Sequence, residues 1–303
     1  MSLYKYAQNF LQNIRDSFRF SLRELHKRTQ RLENSKPRLD DDLLIETILY
    51  AIPNSKIKRP TIKTAEETIN ELITTNKSIA RFGDGEIMVA DGKDIPFQRA
   101  EKELTQRLRE ILAEPQENLL VAVNRRYYHP NIFKEIISQT NPIYKNFELY
   151  AVPSLRKQLD KYLNKEMPLC EAGITGNTKF FTLYRDFFQN KKLILVGCKE
   201  AFKSYKFNIF DTALKLDYEF VPNKHCFSVY DELFNKLCTY DKDSIMILMC
   251  GPTACVLAAD LSKNGFKALD LGHLAKFYDW HKRGIDMNAN EGENAVKFFA
   301  PDE

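Results

Sequence analysis

Three continuous apolar segments constrain the fold of this chain more than any other feature. They cover residues 118–124, 192–197 and 244–250, and segments with the apolar spacing of amphipathic helices alternate with them. Strands that are apolar on both faces are typical of parallel sheets covered by helices on both sides. The sequence therefore predicts an α/β fold with a mostly parallel sheet between two layers of helices.

Shorter patterns complete the predicted order of elements. Thr64 and Glu67 have the spacing of a capping box and predict a helix over 64–76. Further helices are predicted at 99–112, 130–139, 153–165, 228–238 and 253–263, and further strands at 78–82, 218–221 and 267–271.

The first part of the chain predicts a basic helical arm. Apolar residues recur at helical spacing over 2–33, and residues 1–38 hold nine Lys or Arg and three Asp or Glu, a net charge of +6 against +4 for the whole chain. The helix packs on its own domain, packs on a second subunit in a homo-oligomer, or lies on an anionic membrane surface. Packing is the commoner fate of such a helix. We predict an arm and linker over 1–58 and the main domain over 59–303.

Composition excludes several classes of protein. The basic charge is local to the arm, so no nucleic-acid partner is predicted. The sequence has neither an apolar run of about 18 residues nor an apolar signal core, which predicts a cytoplasmic protein. All six cysteines lie in the second half without a Cys-x-x-Cys pair, which favours buried free thiols over disulfides or zinc.

A pair of carboxylates follows the predicted strand 78–82. Asp84 and Glu86 are separated by one glycine, and Gly83 and Gly85 would let a tight turn adopt positive φ and approach a ligand closely. Carboxylates this close repel one another unless a cation lies between them, and hard oxygen ligands suit Mg²⁺ or Mn²⁺. A polar turn with no ligand remains the alternative.

Other polar residues follow predicted strands at the same edge, where parallel sheets bind ligands. Gly251, Pro252 and Thr253 begin a helix whose N–H groups and hydroxyl would suit a phosphate, although a capped helix needs no ligand. Arg125 could contact a diphosphate or remain a solvated charge. Asp270 and His273 could act as a base or remain ordinary polar residues. No Walker loop or dinucleotide fingerprint is present.

Two segments resemble a known family. Residues 81–86 read Arg-Phe-Gly-Asp-Gly-Glu, and the second segment runs from Gly251-Pro252-Thr253-Ala254 to Leu271-Gly272-His273. Together they resemble the bacterial glycosyltransferases of the GT-D fold, first catalogued as a domain of unknown function. The resemblance implies a Rossmann-like domain over about residues 62–285 that transfers a sugar from a nucleoside-diphosphate donor. It also implies that Asp84 and Glu86 hold Mn²⁺ or Mg²⁺ on the donor diphosphate.

The resulting hypothesis is a metal-dependent glycosyltransferase that uses a UDP-sugar. Arg81 would support the diphosphate or orient the acidic loop, and Asp270, His273 and Glu171 are candidate bases. The acceptor would be a glycan on a lipid carrier or on a protein, and a lipid-linked acceptor would place the enzyme at the inner face of the membrane. A metal-dependent phosphohydrolase and a non-catalytic nucleotide-sugar-binding scaffold are the alternatives.

Overall fold

The computed structural model describes residues 58–128 and 142–285. The predicted helices at 2–33 and 130–139 lie outside these residues, and the boundary near residue 59 stays a prediction. The contacts of the chain separate it into two units. The described part of the larger unit comprises residues 58–125 and 158–285, and it contains every strand named below. The described part of the other unit comprises residues 126–128 and 142–157.

A seven-stranded sheet forms the centre of the larger unit. Its strands are β1 (Ser78–Phe82), β2 (Leu119–Val123), β3 (Leu169–Glu171), β4 (Lys192–Gly197), β5 (Lys215–Phe220), β6 (Ile245–Met249) and β7 (Lys267–Asp270). The strand order is β3-β2-β1-β7-β6-β4-β5, and every paired strand is parallel. The predicted α/β class and parallel sheet are therefore confirmed.

Helices connect these strands. They are α1 (Ala65–Thr74), α2 (Asp84–Ala90), α3 (Lys102–Ala113), α4 (Pro142–Leu159), α5 (Phe181–Phe188), α6 (Lys199–Ser204), α7 (Tyr230–Leu237), α8 (Pro252–Lys263) and α9 (Leu274–Lys282). The predicted capping box at the start of α1 is present, because the Thr64 hydroxyl accepts from the Glu67 N–H and the Glu67 carboxylate accepts from the Thr64 N–H.

The two sides of the sheet are covered by different helices. Apolar residues of α5 and α9, such as Tyr184 and Leu274, share one core cluster with Ile79, Leu195 and Ile247 of the strands. Helix α8 packs against β1, β6 and β7, and its buried residues lie outside that cluster. The predicted helical layers on both faces are confirmed, and the carboxyl ends of the strands all meet at one edge.

Several local predictions were wrong. The helix predicted at 153–165 lies at Pro142–Leu159 instead, so residues 160–165 are outside it and Pro153 is in its interior. The short strand β3 and the helices α5, α6 and α9 were not predicted. Strand β3 has only three residues, whereas the buried Phe181, Tyr184 and Phe188 of α5 have a helical spacing that could have predicted this helix. The cysteines are free thiols, and all but Cys238 are buried, as predicted.

Candidate active site

Asp84 and Glu86 occupy the first turn of a helix, and the predicted tight turn is wrong. Gly83 is the residue before α2, with φ −85° and ψ −167°, so neither Gly83 nor Gly85 has the positive φ that a turn would use. The Glu86 carboxylate accepts from the Gly83 N–H at 3.0 Å, and the Asp84 carboxylate accepts from the Gly85 N–H at 2.9 Å. Acidic side chains stabilise a helix start in this way, which explains why this sequence forms a helix.

The two glycines serve close packing. A Cβ on Gly83 would lie 3.1 Å from the Glu86 carboxylate, and a Cβ on Gly85 would lie 3.2 Å from the Ile95 side chain. Both distances are shorter than ordinary contacts. A Cβ at either position would therefore require the Glu86 or Ile95 side chain to move by a few tenths of an ångström, and the approach of a ligand to these residues stays a prediction.

Arg81 connects three loops at the carboxyl edge of the sheet. Its Nε donates to the Asp270 carbonyl at 2.7 Å, and its Nη1 donates to the Ala172 carbonyl and the Thr175 hydroxyl at 3.0 and 3.2 Å. The side chain is only 15% exposed and lies 3.6 Å from the Asp270 carboxylate. These contacts favour the orienting role of Arg81 over direct contact with a diphosphate.

Asp270 is held from several sides at the end of β7. Its carboxylate accepts from the backbone N–H of Arg81 at 3.1 Å and of Gly272 at 3.2 Å. The Cys255 thiol of α8 lies 3.7 Å from the same carboxylate and donates to the Arg81 carbonyl at 3.2 Å. Gly272 has φ +48°, and a Cβ there would overlap the Arg81 guanidinium. The Asp270 carboxylate is therefore fixed in place.

Burial raises the proton affinity of the Glu86 and Asp270 carboxylates. Burial, followed by the charge of Asp270 and that of Asp84, raises the pKa of Glu86 to about 7, and the nearby Arg81 offsets part of this rise. Burial also raises the pKa of Asp270, again against the influence of Arg81. A cation at this edge would relieve the repulsion.

The carboxylate oxygens of Asp84 and Glu86 suit a divalent cation whose coordination is completed by a bound ligand. Each of Asp84 and Glu86 has two oxygens, so a hydrogen bond to one backbone N–H leaves capacity for a metal. Within residues 58–128 and 142–285, no three His, Cys, Asp or Glu side chains converge as a full metal-binding group. Mg²⁺ is often bound by one or two carboxylates with substrate phosphates completing its coordination.

His273 precedes α9 and is exposed at the edge of the site. Crowding by protein atoms, followed by the charges of Arg81 and Lys276, lowers the pKa of its imidazole. The ring is therefore neutral at neutral pH and can accept a proton. The preceding residue, Gly272, lies against the Arg81 guanidinium, so His273 is adjacent in sequence to the residues that surround Asp270.

Arg125 lies on the other side of β1, after β2. Its side chain is exposed, and its backbone N–H donates to the Glu171 carboxylate at 3.1 Å. Glu171 also accepts from the Gly173 N–H at 2.7 Å. The two bonds fix the loops after β2 and β3, so Glu171 has a structural role that the sequence did not reveal.

The start of α8 offers at most the N–H groups of Gly251 and Thr253 and not the predicted hydroxyl, because Pro252 has no N–H and the Ala254 N–H donates to the Gly251 carbonyl at 2.8 Å. Gly251 has φ +59°, and a Cβ there would meet nothing within 4 Å, which shows open space at this helix start. Pro252 is the first residue of the helix. Thr253 is fully buried and its hydroxyl lies beside Cys226, so that hydroxyl does not face the open edge.

Two residues of the cluster, Gly272 and Cys255, were not predicted to serve the Arg81–Asp270 pair. A glycine directly after a strand is a weak sequence signal for the positive φ that Gly272 adopts. No sequence signal identifies Cys255 as a neighbour of Arg81, which lies 174 positions away. Separately, the helices within the described ranges are too short or too polar to cross a membrane.

Two curated relatives match most of this chain. "Glycosyltransferase GlyD" of Streptococcus pneumoniae serotype 4 is 28% identical over 240 residues, which are 74% of this chain and 28% of that protein. "Probable glycosyl transferase Gly" of Streptococcus gordonii is 24% identical over 264 residues, which are 79% of this chain and 36% of that protein. The chain thus spans about a third of the length of these relatives.

Solved structures share the fold. The highly conserved domain of unknown function 1792, described as having a distinct glycosyltransferase fold, matches with a TM-score of 0.66 and 24% identity over 79% of this chain and 86% of its own. A glycosyltransferase of the same domain type from Streptococcus sanguinis matches with a TM-score of 0.64 and 23% identity, over 75% of this chain and 86% of its own. The family model "Glycosyltransferase GT-D fold" matches residues 79–296, which include every site residue described above. This chain therefore belongs to the glycosyltransferase family of the GT-D fold.

Proposed function

We propose that this chain transfers a sugar from a nucleoside-diphosphate donor, UDP-linked, to a glycan acceptor with the help of Mn²⁺ or Mg²⁺. The observation that carries the proposal is the acidic helix start at the carboxyl edge of the sheet. There Asp84 and Glu86 lie near Asp270, and burial, together with the charges of Asp270 and Asp84, raises the pKa of Glu86. Membership of the family supplies the reaction class.

Asp84 and Glu86 would hold the cation, and the bound cation would neutralise charge on the departing diphosphate. The open helix start at Gly251 would present backbone N–H groups to phosphate oxygens, since helix N-termini favour anions. Arg81 would keep the loops after β1, β3 and β7 in register. Pre-positioned groups of this kind lower the reorganisation required during the reaction.

An inverting reaction requires a base for the acceptor hydroxyl, and His273 suits this role better than Asp270. The Asp270 carboxylate already accepts two backbone N–H groups and lies 6% exposed against Arg81. His273 is exposed and its ring is neutral at neutral pH, so an incoming hydroxyl can reach a ring nitrogen that is able to accept its proton. The lowered pKa makes this nitrogen a weaker base than an ordinary imidazole, so the choice of His273 rests on its accessibility.

The acceptor would be a glycan on a lipid carrier or on a protein. With a lipid-linked acceptor, the basic segment 1–33 would bind the inner face of the membrane. In the alternative, the segment packs on its own domain or on a second subunit and does not contact the membrane. Flotation with anionic vesicles separates these cases. Equal flotation of the full chain and of a chain starting near residue 59 would contradict membrane contact by this segment.

Nucleotide release measures the reaction directly. The full chain is incubated with a panel of nucleotide sugars and Mn²⁺, with and without saccharide acceptors. Acceptor-dependent nucleotide release is expected, and it should be lost with EDTA. Acceptor-independent release of inorganic phosphate would favour the phosphohydrolase, and binding without turnover would favour the scaffold.

Two variants test the metal site itself. Asp84→Asn and Glu86→Gln should each weaken Mn²⁺ binding in calorimetry and reduce transfer by at least about a hundredfold, since the neutral amides lose charge stabilisation of the leaving group. Glu117→Gln is the matched control, because Glu117 is an exposed acid just before β2, at the opposite edge of the sheet. Unchanged Mn²⁺ binding in both site variants would remove the metal assignment.

A further inference from the structure

Exposed aromatic side chains form a cluster at the edge strand β5. Tyr218 and Phe220 are 40% and 51% exposed, and their ring centroids lie 5.8 Å apart with planes inclined by 25°. Phe202 of α6 packs edge-on against Tyr218, with centroids 5.5 Å apart. We refer to Phe202, Tyr218 and Phe220 as the aromatic platform. Contiguous exposed apolar surface of this kind marks a binding site more often than isolated exposed residues do.

The platform is supported from below. A Cβ on Gly197 would lie 3.0 Å from the Phe202 ring, so the missing side chain at the end of β4 makes room for that ring. The Lys199 ammonium group lies 5.5 Å from the centroid of Phe220. The rings are therefore held in position beside a hydrogen-bond donor.

The register of the sheet places the platform at the edge that carries the candidate active site. Ile79 pairs with Leu269, Leu269 with Ile247, Ile247 with Leu195 and Leu195 with Tyr218. Two residues further along each strand, Phe220 is level with Arg81. β1 and β5 are separated by four strand spacings, or about 19 Å. A ligand that touches both places must be extended along this edge.

We propose that the aromatic platform binds the saccharide chain of the acceptor, several sugar units away from the reacting end. The inference rests on the proposed function for the identity of the second substrate. Aromatic rings present a flat apolar surface to the C–H face of a sugar ring, while the Tyr218 hydroxyl and Lys199 offer hydrogen bonds to sugar hydroxyls. Two rings on one strand, separated by one residue, can contact successive parts of an extended chain.

The pattern of β5 disfavours a second copy of the chain as the occupant. Charged residues alternate with the apolar ones, and Lys215 and Asp217 form an ion pair at 2.7 Å along the strand. Charged side chains on an edge strand oppose the addition of another strand. A saccharide that stacks on the rings does not need the backbone edge.

An array of neutral and amino-sugar oligosaccharides of graded length tests the platform without requiring turnover. The full wild-type chain is compared with the double variant Tyr218→Ser/Phe220→Ser and with Leu214→Ser. Leu214 is the matched control, because it is 68% exposed immediately before β5 and is not part of the platform. We expect wild type and Leu214→Ser to bind with a preference for longer chains, and the double variant to bind about tenfold more weakly, or about 1.4 kcal/mol.

Several results would overturn the proposal. These are absence of saccharide binding by the wild-type chain, equal binding by the double variant, or a loss of binding that coincides with a change from dimer to monomer in light scattering. If the double variant unfolds early, Phe220→Ser and Phe220→Trp decide the question, since only the tryptophan keeps a ring for stacking. If the wild-type chain binds saccharides but releases no nucleotide from any donor, the proposed function is contradicted, whereas saccharide binding by the aromatic platform is still supported.

Discussion

Replacing Glu86 with glutamine should stabilise the metal-free protein at high pH and have little effect at low pH. Glutamine keeps an oxygen that can accept from the Gly83 N–H, so the helix start is preserved. The substitution removes only the negative charge that lies near Asp270 and Asp84. It therefore isolates the electrostatic cost of the acidic cluster from its structural role.

The magnitude follows from linkage between protonation and folding. The pKa of Glu86 is about 7 in the folded protein against the ordinary value of 4.5, so the folded state binds more protons than the unfolded state between these values. Stability is therefore lost as pH rises from about 4.5 to about 7, and the loss is complete above it. A rise of this size corresponds to about 3 kcal/mol as an upper limit, since one pKa unit is about 1.4 kcal/mol.

Urea unfolding in the presence of EDTA measures this effect. The free energy of unfolding of wild type should fall between about pH 5 and about pH 8, and that of Glu86→Gln should fall by less. The exposed control Glu117→Gln should follow wild type. Added Mn²⁺ at about a hundred times its dissociation constant should recover about 2.7 kcal/mol for wild type and much less for Glu86→Gln. Parallel pH dependences of wild type and Glu86→Gln would refute the reasoning.

Two further predictions concern the support of the cluster. Gly272→Ala should destabilise the fold by about 2 kcal/mol or more, because the positive φ and the overlap of a Cβ with the Arg81 guanidinium both oppose a side chain there. Gly284→Ala is the control for the backbone cost alone, since Gly284 has φ +67° and a Cβ there would meet no atom within 4 Å. Equal losses in thermal unfolding would show that the overlap is relieved. Arg81→Lys should cost about 2 to 3 kcal/mol in urea unfolding, since an ammonium cannot replace the guanidinium fork against Asp270 and two other acceptors. Wild-type stability in that variant would contradict the role assigned to Arg81.

The sequence predicted the central part of the fold well, for a physical reason. Segments such as 192–197 and 245–249 are buried on both faces, so nearly every residue must be apolar and the strand is visible in the sequence. β5 was predicted only as 218–221, although the alternation of charged and apolar residues over 215–220 is itself the pattern of an edge strand with one covered face. β3 has three residues, which is too few for any periodicity.

The candidate site was predictable where its chemistry is local in sequence, and the alternation of strands and helices also placed Asp270 at the same edge of the sheet. Asp84 and Glu86 are two positions apart, so their proximity follows from the chain itself. An orienting role of Arg81 was one of the two predicted roles, but its partners could not be inferred, since Ala172 and Asp270 lie 91 and 189 residues away. The prediction of a tight turn at Gly83 was wrong because positive φ was expected at Gly83 and Gly85. In the structure neither glycine has positive φ, and both lie in close contact with neighbouring side chains.

The division of charge at this edge indicates why a cation would be needed at all. The Arg81 guanidinium is committed to contacts inside the protein, and its charge acts mainly on Asp270. Asp84 and Glu86 instead stand at the head of α2, where they face backbone N–H groups and one another. An anionic diphosphate that approached these two carboxylates directly would be repelled. A divalent cation held by Asp84 and Glu86 would reverse the sign of the local field, so that the carboxylates that would otherwise exclude the donor would help to bind it.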